Sequence, residues 1–577
     1  MEPSIHRPNR APIPSVQAPP PAAGLRRAVA ISFAWIAWIA AAAPAQAAGV
    51  PEPGERFAPL LDGLGDLHHE VATEVPLAQR YFDQGLILAW AFNHPEAERS
   101  FRQAAALDPE CAMCWWGVAW VLGPNINVGM EEAAVEPAWE ALQKARELRA
   151  NATPRGRAYI DALAARYAPP EEAPEDRAPL DRAFAEAMGE VAERFPDDLD
   201  AATLHAEALM DTTPWDYWRE DDTPKPVTRE ILARLEGVLE RDPRHPGANH
   251  LYIHAVEAVQ PERGLAAAER LEDLVPGAAH LVHMPSHIYI RVGRYHDAVI
   301  ANQRAVDADR AYVTQCHAQG VYQLGYVPHN PHFLWAAAAF AGQEDVAVDA
   351  ARQVAVHVDT GKLREPGFGT LQHYWVTPLY ALVRFGRWQE VLDEPAPAED
   401  LLYPRGVWHW ARGMAWTRLD RLEDARGELE RVAELAGDER LEEVTLWDIN
   451  STRSLLQVAR EVLAGELAAA RGEYDQAVDH LRRAVELEDG LNYDEPPPWP
   501  LPSRQYLGAA LLEAGRPGEA EEVFRADLEE YPENGWSLRG LARALAAQGA
   551  EDEAEAVRQR FLRAWHHADV TPASSRF

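Results

Sequence analysis

The sequence predicts an all-α fold, a right-handed solenoid of stacked helix-turn-helix units with Pro-rich loops inserted between them, and three observations predict it. A pattern of small, aromatic and proline residues opens near residue 78 and returns in register near residue 501. A turn glycine followed five residues later by a small or apolar residue recurs along the chain. No unit of this kind can bury its own apolar stripe, so neighbours must stack to make a continuous core.

At the N-terminus, Arg26 and Arg27 precede an apolar run from Ala28 to Ala43, and Ala45-Gln46-Ala47 offers a small-x-small cleavage pattern. The run is shorter than the roughly 20 residues a membrane span needs. Residues 1–47 are therefore expected to be a signal peptide cleaved after Ala47. The mature chain is expected to be exported, periplasmic or secreted, with no stable membrane span.

The first unit spans residues 78 to 111. Tyr81 opens its apolar face, Gly85 and Ala97 let two helices approach, Phe101 fills the space between them and Pro109 stops the second helix. Gly508, Ala520, Phe524 and Pro532 repeat those spacings. The shorter signature appears as Gly293/Ala298, Gly342/Ala347, Gly386/Val391, Gly472/Ala477, Gly515/Ala520 and Gly549/Ala554. These residues resemble the tetratricopeptide-repeat (TPR) consensus. Pro-rich acidic stretches at 168–180, 211–227, 393–405 and 490–503 divide the array. The expected organisation is an N-terminal array over 48–167, an acidic connecting segment with one or two helices over 168–230, a His-rich central array over 231–392 and a C-terminal array over 393–577.

The hydrophobic share of 47% over 577 residues suffices for such a core. A net charge of −36 repels phosphate backbones, so nucleic acid is not the expected partner. No nucleotide-binding glycine loop, Gly-x-Ser-x-Gly elbow or His-Glu-x-x-His motif is present, which leaves kinase and hydrolase readings without support.

Histidine carries the most particular signal. His250/His254 and His283/His287 are His-x-x-x-His pairs 33 residues apart, so each pair shares a helix face and the two occupy equivalent places in successive units. His280/His283 recur as His329/His332 after 49 residues, as expected if Tyr312 to Tyr326 is inserted between units. The TPR resemblance puts His250, His254, His280, His283, His287, His329, His332 and His373 at positions that line the concave groove. Neutral imidazoles gathered in this way suit zinc, copper or iron, with Glu257 and Asp297 near at hand.

Cys111 and Cys114 form a Cys-x-x-Cys where a helix should begin. A small disulfide, a pair of packing thiols or a redox pair all fit that setting, and no His follows Cys114 to attach a c-type haem. Cys316, beside His317, is left over. Trp115, Trp116, Trp120, Trp408, Trp410 and Trp416 are expected chiefly in the core.

A closer resemblance rests on whole strings: Ala78-Gln-Arg-Tyr-Phe-Asp-Gln-Gly85, Ala91-Phe-Asn-His94, Cys111-Ala-Met-Cys-Trp-Trp-Gly117, Gly123-Pro-Asn-Ile-Asn127 and His280-Leu-Val-His-Met-Pro-Ser-His287. They look like a family of exported bacterial TPR proteins of unassigned activity. The resemblance implies fold and export, and it marks His94, Asn125, Asn127 and His373 as candidate groove residues. Two function classes follow. The expected one is a binding scaffold whose groove takes a peptide or protein partner; the alternative is a metalloprotein with a divalent transition metal in the His-rich groove.

Overall fold

The computed structural model describes residues 57–316 and 327–577. The signal-peptide segment 1–47, the Cys316 side chain, His317 and most of the expected insertion up to Tyr326 lie outside the described residues. Within them the chain is an all-α solenoid of TPR type, in which each helix packs on the next. A two-stranded ribbon, Thr445–Leu446 with Asn450–Ser451, is the small β component among the described residues.

Local chemistry explains where the helices start and stop. Pro sits in the first turn of helices Pro76–Trp90, His94–Leu107, Pro246–Val256 and Pro517–Glu530, where its missing N–H costs nothing. Asp198 and Asn534 cap the helices that follow them, accepting from Ala201 N and Ser537 N at 3.1 and 2.9 Å. All six signature glycines adopt positive φ, between 68° and 80°, the left-handed turn that a Cβ would strain. Their partners five residues on, Ala298 to Ala554, are buried.

The aromatic wedge also works as the spacing predicts. A Cβ on Gly85 would come within 2.8 Å of the Phe101 ring, and Phe524 crowds Gly508 at 2.4 Å. Helix contact there depends on the absent side chain. Trp116, Trp120 and Trp410 are buried, whereas Trp115, Trp408 and Trp416 are only partly so.

The acidic segment 168–230 contains two helices, Ala178–Arg194 and Leu199–Asp211, and these stack in sequence between the preceding and following units. It therefore continues the array. Its turn-rich stretch holds an isolated bridge between Trp218 and Pro224.

The solenoid departs from a purely nearest-neighbour stack. Trp536 Nε1 donates to Ala339 O at 2.9 Å, Arg291 pairs with Glu530 at 3.2 Å, and Arg384 donates to Gln505 at 2.7 Å. C-terminal helices thus lie against the central array. The consequence is that the inner wall of the central array is covered rather than open. No helix among the described residues is long and apolar enough to cross a membrane.

Candidate metal centre

The innermost helix, Pro246–Val256, is buried along its whole length and carries His250 and His254 one turn apart. His280 and His283 sit on Ala279–His283, and His287 on Pro285–Arg291, two short segments that meet at Met284 and Pro285. His329 opens helix Val327–Ala341. Stacking these units brings six imidazoles together in two groups, His250/His254/His280 and His283/His287/His329. Within each group the candidate ligand atoms lie within 4.8 Å of one another. The groups adjoin, with His254 and His287 ring centroids 5.4 Å apart.

Hydrogen bonds fix which nitrogen each ring presents. Asn302 Nδ2 donates to Ala298 O at 2.8 Å, which turns Asn302 Oδ1 toward His283 Nδ1, 2.7 Å away. His283 must therefore carry its proton on Nδ1 and leave Nε2 as a lone pair. His287 Nδ1 lies 2.8 Å from Glu257 Oε2 and 2.9 Å from Glu495 Oε2. Its Nε2 faces His283 Nε2 at 2.9 Å. Two nitrogens this close need a cation between them or a proton on one of them.

The same logic holds in the first group. His250 Nδ1 donates to Trp90 O at 2.6 Å, one of the carbonyls left over at the end of helix Pro76–Trp90. His254 Nδ1 meets Glu257 Oε1 at 3.2 Å. His280 Nε2 and His250 Nε2 are 3.1 Å apart. Glu257, buried at the C-terminal end of its helix where the dipole disfavours an anion, is held by an imidazole from each group.

Burial first, and neighbouring imidazoles second, hold His250, His280, His283 and His329 well below the ordinary imidazole pKa. His254 is lowered by burial despite Glu257. These rings stay neutral, the form a metal ion requires. His287 differs: burial pulls it down, but Glu257 and Glu495 outweigh that and hold it at about 10. Burial pushes Glu257 up, while His287 and His254 bring it down to about 2. With His287 protonated, its Nε2–H faces the bare Nε2 of His283.

Each group has an aromatic lid. The Phe92 ring centroid is 4.5 Å from that of His250, and Phe333 is 4.6 Å from His283 and 4.5 Å from His287. Phe92 is buried with φ at 53°, a left-handed conformation rare for a bulky residue.

Not every predicted residue joins the centre. His332 instead faces His373, with ring centroids 5.6 Å apart, and His373 Nδ1 lies 2.7 Å from the Tyr403 hydroxyl. Asp297 pairs with Arg294 at 2.5 Å, on a face away from the imidazoles. Asn125 turns its Oδ1 to the backbone N–H groups of Asn127 and Val128, both at 2.9 Å, which makes it a turn residue. His94, beside it at 3.5 Å, is lowered to about 4 by burial and by Arg166. Cys111 and Cys114 are joined in a buried disulfide at the start of helix Ala112–Val121.

Sequence reasoning missed Glu495, Asn302 and the two phenylalanines. Glu495 comes from the acidic 490–503 loop, and nothing local to that loop indicates that it reaches helix Pro285–Arg291. Also missed was a second buried network, in which Asp200 accepts from His69 Nδ1 at 2.7 Å and His245 Nε2 at 3.1 Å. Burial pushes Asp200 up, yet hydrogen bonds from His245 and His69 hold it well below the carboxylate range. Burial lowers His69, but Asp200 raises it further, with Asp198 adding to this and Arg155 opposing it. Asp200 thus stabilises the fold above the ordinary carboxylate pKa of about 3.9 and loses that contribution as pH falls. His69 contributes below about 6.5 and loses its share as pH rises through its folded value. Replacing Asp200→Asn should therefore cost most between about pH 4 and 6.5, measured by urea unfolding of both proteins across pH.

Comparison with known proteins bears on the fold. A family model described as tetratricopeptide repeat matches residues 511–561. No curated protein matches the chain. Among solved structures, the human IFIT1 dimer with m7Gppp-AAAA is 12% identical, at a TM-score of 0.29, over 85% of this chain and 90% of that one. The APC/C hetero-tetramer Cut9-Hcn1 is 12% identical, at a TM-score of 0.28, over 85% of this chain and 74% of the other. Residues 511–561 are a tetratricopeptide repeat, and the chain that carries them is an all-α solenoid of tetratricopeptide-repeat type.

Proposed function

We propose that this chain is a metalloprotein, a TPR-type scaffold whose inner wall holds a zinc, copper or iron ion at His283, His287 and His329. Helical repeats of this type commonly serve as binding scaffolds, and here the bound partner that the inner wall fits is ion-sized. His283 and His287 are buried and covered by the Glu495 loop, so a peptide in the groove would not reach them. The observation that carries the reading is the 2.9 Å approach of the His283 and His287 Nε2 atoms, with His283 Nδ1 hydrogen-bonded to Asn302 and His287 Nδ1 set between the carboxylates of Glu257 and Glu495. Three imidazoles leave an open coordination position for water or another small ligand, the arrangement of reactive rather than purely structural ions. Glu257, Glu495 and Asn302 orient the rings and raise their basicity from behind.

The test is elemental analysis of the mature protein purified without a His tag. At least one transition-metal ion per chain is expected, falling in the double variant His283→Ala, His287→Ala. Content well below one, and unchanged in that variant, would remove the proposal.

A further inference from the structure

We infer that the centre holds two copper ions side by side, the second at His250, His254 and His280, so that six imidazoles and no carboxylate ligate the pair. The inference rests on the single-ion reading above and extends it to the adjoining group.

Three features of that group are those of a ligand set. His250 gives its Nδ1 proton to the Trp90 carbonyl and so offers Nε2, which already lies 3.1 Å from His280 Nε2. His254 turns Nδ1 to Glu257, and its Nε2, in a side chain 3% exposed, is buried without a hydrogen-bond partner. The candidate ligand atoms of all three fall within 4.8 Å of one another. A buried imidazole nitrogen left unpaired is destabilising, and an ion at this point would satisfy it.

Adjacency follows from the same helices. His254 and His287 centroids are 5.4 Å apart and those of His280 and His283 5.8 Å. Glu257 lies behind both groups, with Oε1 toward His254 and Oε2 toward His287, so one carboxylate orients a ligand of each ion.

Charge selects copper among the ions that imidazole suits. All six ligands bind as neutral nitrogens once His287 gives up its extra proton, a donor set that suits zinc, copper, iron and nickel. The acidic groups against the rings are Glu257 and Glu495, and Arg291 nearby is shared between Glu530 at 3.2 Å and Glu495 at 3.9 Å, with Glu530 supplying its balancing charge. Two carboxylates balance two monovalent ions; two divalent ions would leave excess positive charge in a buried site lidded by Phe92 and Phe333. Cuprous ion, which accepts three nitrogen ligands, meets both conditions.

The full mature chain, stripped of metal and titrated anaerobically with Cu(I) against a chromophoric chelator, tests this. Two tightly held equivalents per chain are expected, and one in the double variant His250→Ala, His254→Ala. One equivalent in the unaltered chain would overturn the second ion and leave the single-ion reading standing; none would overturn both. The unaltered chain decides the count, whatever the stability of the variant.

Discussion

Glu257→Ala is expected to lower metal affinity about 10–100-fold and to destabilise the ion-free fold by about 3 kcal/mol or more. The side chain is 1% exposed and faces the Nδ1 atoms of His254 and His287. Removing it leaves His254 without the acceptor that fixes its ring. His287 keeps Glu495, 2.9 Å away, so Glu495→Gln is expected to be the milder change. Chelator competition measures the first effect and urea unfolding of the stripped protein the second. Equal, negligible losses in the two variants would show that Glu257 does not support the site.

Metal loading is expected to raise thermal stability strongly. An ion that binds only the folded chain contributes about 4 kcal/mol when free ion reaches 1,000 times its dissociation constant. The units joined by these histidines are far apart in sequence, since His250 bonds to the Trp90 carbonyl and His287 meets Glu495. An ion at His283, His287 and His329 would therefore tie together helices of the central array, one of whose rings is itself held by the C-terminal Glu495. Calorimetry with and without chelator measures the shift, and the increment should shrink in the variant His283→Ala, His287→Ala.

The repeat architecture was legible because its causes are local. Gly293, Gly342 and their counterparts must turn with positive φ, and Phe101 and Phe524 need a glycine opposite, so each unit announces itself within about one repeat length. The histidine register was legible for a related reason: stacking converts a 33-residue spacing into spatial proximity, which brings His250/His254 beside His283/His287. His332 escaped this logic. Its ring points to His373 and Tyr374, with centroids 5.6 and 4.8 Å away, and the shared spacing with His283 did not place it in the same group.

What the sequence concealed arises from contacts between distant segments. Glu495 reaches His287 across more than 200 positions, and Asp200 binds His69 from 131 positions away. No periodicity encodes such pairings, because they depend on how tightly the superhelix closes on itself. Asp297, like Glu257, stands near the histidines in sequence, yet it lies on the solvent side of its helix, paired with Arg294. The acidic segment 168–230, expected to connect the arrays with one or two helices, contains helices Ala178–Arg194 and Leu199–Asp211, and the first buries Phe184, Met188 and Val191.

X-ray absorption at the metal edge, on protein that has retained its own metal, tests the central claim most directly. A first shell of nitrogen at about 2.0–2.1 Å is expected, with the outer-shell scattering of imidazole rings and no sulfur. A shell of sulfur or a shell of oxygen alone would contradict it.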